Sequence, residues 1–318
     1  MLCRTSPFIV LHSVYNSVRR FTMFKQQCVL MVILLGLLGT ANMYAEDVVI
    51  DDVEIRIGSS GRSFINDPDN WLSFRGGLEL GLIDVLSHTI QFSTNGTEFD
   101  YVEEGGQDIF FRFVRLTAEL QLGSRHTVIF LIQPLTLNTE ALLTRDIVID
   151  DLTFPANTPV KLKYGFDFWR ASYLYDFNSS ADREIAIGLS LQMRNASIRF
   201  ASYDGSLFRI NQGVGPVPIL KFRIRLPFNN GMWFGSEIDG FYASGKYITG
   251  SENDFLGAIL DASIRLGFKM SNRFDAFVNL RYLGGGARGT EEDDPGPGDG
   301  YTENWLHTMS VTLGTYLK

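Results

Sequence analysis

The chain has 318 residues, 45% of them hydrophobic and 20% charged, with 31 Gly, 25 Phe, 12 Tyr and only 2 Cys. Its net charge is −8, and the first 45 residues carry Arg4, Arg19, Arg20 and Lys25 without an acid, so the remainder is still more acidic. That balance excludes nucleic-acid binding, which relies on neutralising phosphates with Lys and Arg. A mean hydropathy of +0.03 excludes both a polytopic helical membrane protein and a disordered chain.

Residues 1–22 show no targeting logic and read as an upstream extension from a mis-assigned start at Met1, with translation beginning at Met23. Residues 23–45 have the composition of a secretory signal peptide: a basic start at Lys25, an apolar run from Val29 to Leu38, and small residues leading to Ala45. Ten residues reach only about 15 Å as a helix, half of a bilayer core, so the run fits an exported leader better than an anchor. Cleavage is expected before Glu46, which leaves no cysteine in the mature chain because Cys3 and Cys28 both precede it. Residues 46–70 read as a periplasmic N-terminal segment.

From residue 71 to 318 the dominant signal has a period of two, the mark of strands with one apolar and one polar face. Leu256, Ala258, Leu260, Ala262, Ile264, Leu266 and Phe268 alternate with Asp261, Ser263, Arg265 and Lys269. Ten such segments are predicted, at 72–83, 109–122, 127–137, 161–177, 184–199, 217–227, 232–244, 254–270, 273–284 and 303–317. In the segment 161–177 the apolar parity changes from Tyr164, Phe166 and Phe168 to Trp169, Ala171 and Tyr173, which predicts a bulge near Phe168–Trp169.

Predicted short turns at 123–126, 178–182, 229–231 and 271–272 alternate with longer polar loops at 84–108, 138–160, 200–216, 245–253 and 285–302. Short alternating with long is the pattern of an up-and-down barrel crossing an outer membrane. The expected fold is therefore all-β: an antiparallel transmembrane β-barrel of ten strands, with eight or twelve as the alternatives. A soluble lipocalin-like barrel or sandwich shares the period and differs in which face points inward. Aromatics near strand ends (Trp71, Phe74, Tyr164, Trp169, Tyr173, Trp233, Tyr242, Tyr282, Tyr301, Trp305 and Tyr316) read as girdles at the membrane surfaces.

On this reading the polar face lines the lumen. Its positive members are Arg75, Arg115, Arg170, Arg194, Lys221, Arg223, Arg225, Arg265 and Arg281; its negative members are Glu79, Glu119, Glu237, Asp239, Asp261 and Asp275. These charges either interlock as ion pairs in a filled barrel or leave a narrow pore, in which the row Lys221, Arg223 and Arg225 would favour anions. No G-x-S-x-G, H-E-x-x-H or phosphate-loop motif is present. His307 with Ser310 or Glu303 is the one arrangement that imitates a catalytic set. The acidic run Glu291–Asp294 with Asp299 lacks the ligand spacing of an EF-hand and reads as a solvated loop. No cofactor, metal site or catalytic residue is expected.

The alternation Met309, Val311, Leu313, Thr315 and Leu317 resembles the terminal strand that barrel-assembly machinery recognises in Gram-negative outer-membrane proteins, departing from it by ending Leu317-Lys318. The stretches Leu152–Val160, Tyr164–Phe177 and Ile187–Ile198 resemble an uncharacterised group of bacterial outer-membrane barrels. The resemblance supports the fold and an outer-membrane location; the chain is expected to be a monomer, with outer-membrane lipid and the barrel-assembly machinery as partners. It implies no activity. The expected role is structural or surface-binding, the alternatives being a narrow channel for small, anionic solutes and a lipid-modifying enzyme.

Overall fold

The computed structural model describes residues 72–178, 183–228, 230–244, 255–290 and 297–318. The expectations for the leader, the segment 46–70, Trp71 and the acidic run at 291–294 lie outside these residues.

Among the described residues fourteen strands follow in chain order: β1 (Leu72–Phe92), β2 (Phe99–Asp100), β3 (Phe111–Leu122), β4 (His126–Gln133), β5 (Thr136–Leu142), β6 (Ile147–Ile149), β7 (Leu152–Phe154), β8 (Pro159–Asp176), β9 (Glu184–Ser202), β10 (Phe208–Pro227), β11 (Met232–Ser244), β12 (Leu256–Lys269), β13 (Phe274–Thr290) and β14 (Tyr301–Leu317). All pairings are antiparallel, the long wall strands follow one another around the sheet in chain order, and β14 pairs back onto β1 from Gly76↔Leu317 to Phe92↔Thr302. The sheet is thus closed. β4 and β5 are two halves of one wall strand, both paired with β8 and separated at Pro134, which has no N–H to donate. The wall therefore has ten strands, the number expected from the sequence. Closure leaves no edge at the seam where a sheet would otherwise recruit another chain.

Tight turns join strands at the end that carries both Leu72 and Leu317, the near end. In the turn between β10 and β11, Gly231 has φ of 81°, a conformation that side chains with a Cβ resist. At the far end the strands run on: β1 has 21 residues and β10 has 20, against about 9–11 needed to cross hydrocarbon. Much of the predicted loops 84–108, 200–216 and 285–302 is consequently strand. The β9–β10 connection shrinks to residues 203–207, where Asp204 accepts hydrogen bonds from the hydroxyls of Ser202 and Ser206 and from the Ser206 N–H. Those bonds, the Ser202 hydroxyl foremost, hold the exposed Asp204 carboxyl down to about 2.

The two halves of the wall have opposite polarity. In the near half the outward residues are apolar: Trp169, Tyr173 and Phe177 on β8, Ile185 to Met193 on β9, and Leu260 to Phe268 on β12 are exposed. Each of these stretches is nine residues long, which matches the hydrocarbon thickness for a tilted strand. Inward positions there are buried and include most of the charged residues of the wall. In the far half the sense inverts: Val160, Leu162, Tyr164 and Phe168 of β8 and Ile198 and Phe200 of β9 point in and are buried, while Lys161 and Arg199 point out.

This inversion corrects the expected bulge near Phe168–Trp169. The β8–β9 register runs unbroken from Val160↔Ser202 to Asp176↔Ala186, and even-numbered residues face inward throughout. The apolar parity changes because the surroundings change, from lipid outside to a packed core inside. The register irregularity lies instead in β1, between Val85 and Ser87.

The far-half core is completed by two connections that fold over it. The segment after β1 contributes Phe99, Tyr101 and Val102, and the β6–β7 hairpin contributes Ile147, Ile149 and Phe154; all pack with Ile83, Ile90, Leu137, Leu162 and Phe200 of the wall. The Thr97 N–H donates to the Val148 carbonyl at 2.8 Å, and the Val148 N–H donates to the Thr97 hydroxyl, fastening the two caps together.

Three residues assigned to girdles face the interior instead. Tyr164 belongs to the upper core, while Trp233 and Tyr316 pack with Phe277 inside the near end. There Arg225 lies over the Trp233 ring at 4.1 Å, and any Cβ on Gly267 would overlap that ring. Trp169 and Tyr242 remain outward and exposed.

Ile264 is 55% exposed at the centre of the apolar belt on β12. Ile264→Arg is therefore expected to cost about 2–4 kcal/mol at mid-bilayer depth. Denaturant titration of the barrel refolded into lipid vesicles should show that loss, and wild-type stability would place Ile264 away from lipid.

Candidate functional site

The near-half interior is built from side chains that alternate along each strand, so inward positions lie two residues apart and β1, β3, β8, β10, β11, β12 and β13 each bring one or more charges to a common layer. Arg75, Glu79, Arg115, Glu119, Arg170, Lys221, Arg223, Glu237, Asp239, Asp261, Arg265, Asp275 and Arg281 are all buried, and Arg225 is half-buried beside them. Glu184 joins them, a residue that sequence reasoning passed over because it begins a strand directly after a predicted turn.

Eight of these groups close a ring of alternating sign. Glu79 contacts Arg281 at 3.7 Å; Arg281 pairs with Asp261, Asp261 with Arg170 at 3.1 Å, Arg170 with Asp239 at 3.1 Å and Asp239 with Lys221 at 2.9 Å. Lys221 then meets Glu237 at 3.3 Å, Glu237 meets Arg265 at 2.8 Å, and Arg265 returns to Glu79 at 3.2 Å. Arg115 spans the ring, 3.3 Å from Asp261 and 4.0 Å from Glu79. Below it Glu119 pairs with Arg75 and with Arg223 at 3.0 Å, Glu184 pairs with Arg223, and Asp275 holds Arg225 and Lys318, each at 2.8 Å.

The row Lys221, Arg223 and Arg225 is thus committed to Glu237, Asp239, Glu119, Glu184 and Asp275. Buried charges of both signs with their partners in reach avoid the desolvation cost an isolated ion would carry.

Arg194 is the exception among the lumen candidates. It sits above the charged layer, half-buried, with no carboxylate within salt-bridge distance among the described residues. It lines a cavity of about 400 Å³ bounded by β8 (Tyr164, Phe166), β9 (Gln192, Arg194), β10 (215–218), β11 (Phe241, Ala243), Phe255, β12 (257–259), β13 (283–287) and β14 (Asn304, Leu306). Sequence reasoning missed this cavity because 200–216 and 285–302 were read as loops. The one available signal was the small-residue runs Gly213–Pro218 and Gly284–Gly286, which leave space inside a wall.

The catalytic imitation does not assemble. His307 lies on the outward face with its Nδ1 2.6 Å from the Tyr282 hydroxyl, whereas Ser310, of opposite parity, is buried inside. His88 is wholly buried, its Nδ1 2.8 Å from Gln107 and its ring stacked on Tyr101. His126 contacts the Tyr173 hydroxyl at 2.6 Å at the near end. No cluster of three or more His, Cys, Asp or Glu suited to a metal ion occurs among the described residues.

The architecture defines a closed ten-stranded transmembrane barrel with paired charges inside its near half and an apolar core beside the cavity in its far half. No protein-family model matches the chain, and a search of curated proteins finds no relative. Solved structures similar in fold include the outer membrane protease OmpT from Escherichia coli, at 9% identity and a TM-score of 0.41 over 82% of this chain and 100% of that one. The attachment invasion locus protein Ail of Yersinia pestis follows at 11% identity and a TM-score of 0.29, over 77% and 99% of the two chains. The toluene transporter TodX of Pseudomonas putida has 9% identity and a TM-score of 0.29, over 79% and 91%. Likeness at this level carries no argument about activity.

Proposed function

We propose that the protein is a non-conducting barrel of the outer membrane with a binding role at its far end, which faces the exterior. The observation that carries this reading is the double closure of the lumen: the ring of paired charges fills the near half, and a hydrophobic core with two inward-folded caps fills the far half. A barrel closed by side chains is a scaffold. Its long far-half strands then hold a surface away from the membrane. The even strand number puts the start of the first strand and the end of the last, Leu72 and Leu317, at the near end, which is then the periplasmic side.

Planar-bilayer recording tests the reading. The purified barrel is expected to give no steady single-channel current under a salt gradient. A reproducible conductance, anion-selective or otherwise, would replace the scaffold with a channel.

A further inference from the structure

The wall is not paired along its whole height. The β10–β11 ladder runs from Pro227↔Trp233 only as far as Leu220↔Gly240. Beyond that point β10 continues for twelve residues to Phe208, paired with β9 alone, and β11 continues through Phe241–Ser244, paired with β12 alone. Among the described residues nothing bridges these two edges.

Two prolines explain why the ladder stops. Pro216 and Pro218 share a parity, so both missing N–H groups lie along one edge of β10. The β9 ladder passes both without interruption, which leaves the β11 side as the edge that lacks the donors. Gly213 and Gly215 add no side chains to the inner face of that edge.

The cavity lies directly behind the gap. Residues 215–218 of one edge and Phe241 and Ala243 of the other are all part of its lining. Outside, the gap is flanked by exposed Val214, Leu220 and Tyr242, an apolar surround with an aromatic of the kind that sits at a membrane surface. The cavity is mostly apolar, with Phe166, Ile259, Leu283 and Leu306 among its walls. Its volume falls within the usual range for small-molecule sites.

The polar part of the lining is Tyr164, Gln192, Arg194 and Asn304, of which Arg194 alone is charged. Arg194 lacks a carboxylate partner among the described residues, although every other lumen cation of the sequence reading has one. Beside it Gln192 is fully buried, and its Nε2 has no hydrogen-bond partner. A buried donor in that state is satisfied when an acceptor arrives.

We propose that this cavity receives the hydrocarbon chain of a single-chain anionic amphiphile, whose head group pairs with Arg194 and whose tail reaches the site sideways through the β10–β11 gap. This rests on the binding reading above and names its ligand class. A carboxylate or phosphate head satisfies Arg194 by a charge-assisted hydrogen bond, and the tail replaces solvent against the apolar walls.

The test uses the full barrel in phospholipid nanodiscs, which avoids alkyl detergents, with dansylundecanoate as the anionic probe and its uncharged methyl ester as control. Heat-modifiable migration verifies that each variant is folded. Saturable fluorescence enhancement over empty nanodiscs is expected, stronger for the carboxylate. Arg194→Gln should weaken the carboxylate about tenfold and leave the ester nearly unchanged. Ala243→Trp, which fills the cavity, should abolish binding of both.

The double variant Pro216→Thr/Pro218→Thr restores two N–H donors and lets the ladder extend, so stopped-flow association should slow severalfold. Absence of saturable binding, or indifference to Ala243→Trp, overturns the site. Equal wild-type affinity for acid and ester overturns the head-group assignment, and an unchanged association rate overturns the lateral route. A current in the bilayer experiment would defeat the sealed barrel without touching these measurements, so the two readings fail separately.

Discussion

Asp261→Asn is expected to destabilise the barrel by about 3–5 kcal/mol, the cost of leaving buried charges without their counter-ion. Asp261 is completely buried, and arginines from three other strands converge on it: Arg115 of β3, Arg170 of β8 and Arg281 of β13. An amide of the same shape keeps acceptor capacity on one atom and loses the negative charge that all three share. The pattern of the sequence alone favours a mild outcome, since lumen positions of membrane barrels tolerate change better than lipid-facing ones. The ring reverses that order, and Asp261→Asn should be at least as damaging as Ile264→Arg.

Equilibrium unfolding in urea from lipid vesicles measures both. The double change Asp261→Asn/Arg281→Met should recover part of the loss, because it removes one of the stranded cations together with the anion. A cost below about 1 kcal/mol for the single variant would mean that water or rearranged partners compensate the ring.

Phe99→Ala is expected to cost about 3–5 kcal/mol in the far half, where the deleted ring leaves a cavity. Phe99 is fully buried, with its ring 5.2 Å from Phe200 and 5.1 Å from Tyr101, both edge-on. The residue belongs to a two-residue strand held on β1 by the pairs Thr89↔Asp100 and Ile90↔Phe99, and the rest of the cap is tied down separately by the Thr97–Val148 bonds and by Arg145, which donates to the Glu98 carbonyl. Loss should therefore be local. Limited proteolysis is expected to open the segment 93–108 while the barrel keeps its heat-modifiable migration. Protection equal to wild type would show that the charged layer and the β6–β7 hairpin hold the cap without the aromatic contacts.

Strand existence and number were legible because alternation is a local property. Leu256–Phe268 announces its two faces whatever surrounds it, and the observed β12 (Leu256–Lys269) departs from the predicted span only at the ends. The same logic separated Leu260 from Asp261. It did not assign the faces of Tyr164, Trp233 and Tyr316, since an aromatic at a strand end suits a membrane surface and an interior stack equally well.

By itself the sequence determined an alternating, antiparallel chain of ten long segments with charges on one face and grease on the other. It also marked the small-residue stretches of β10 and β13 without showing what they enclose. Only the tertiary structure decided which face is inside at each height, because period two is blind to inside and outside. Closure made the difference. It set lipid against the outer face of the near half and a capped core against the inner face of the far half, so one unbroken register carries two opposite patterns along β8 and β9. Closure also chose the ion pairs. Glu79 and Arg265 lie 186 residues apart, and only a sheet joined end to end brings their strands across one lumen.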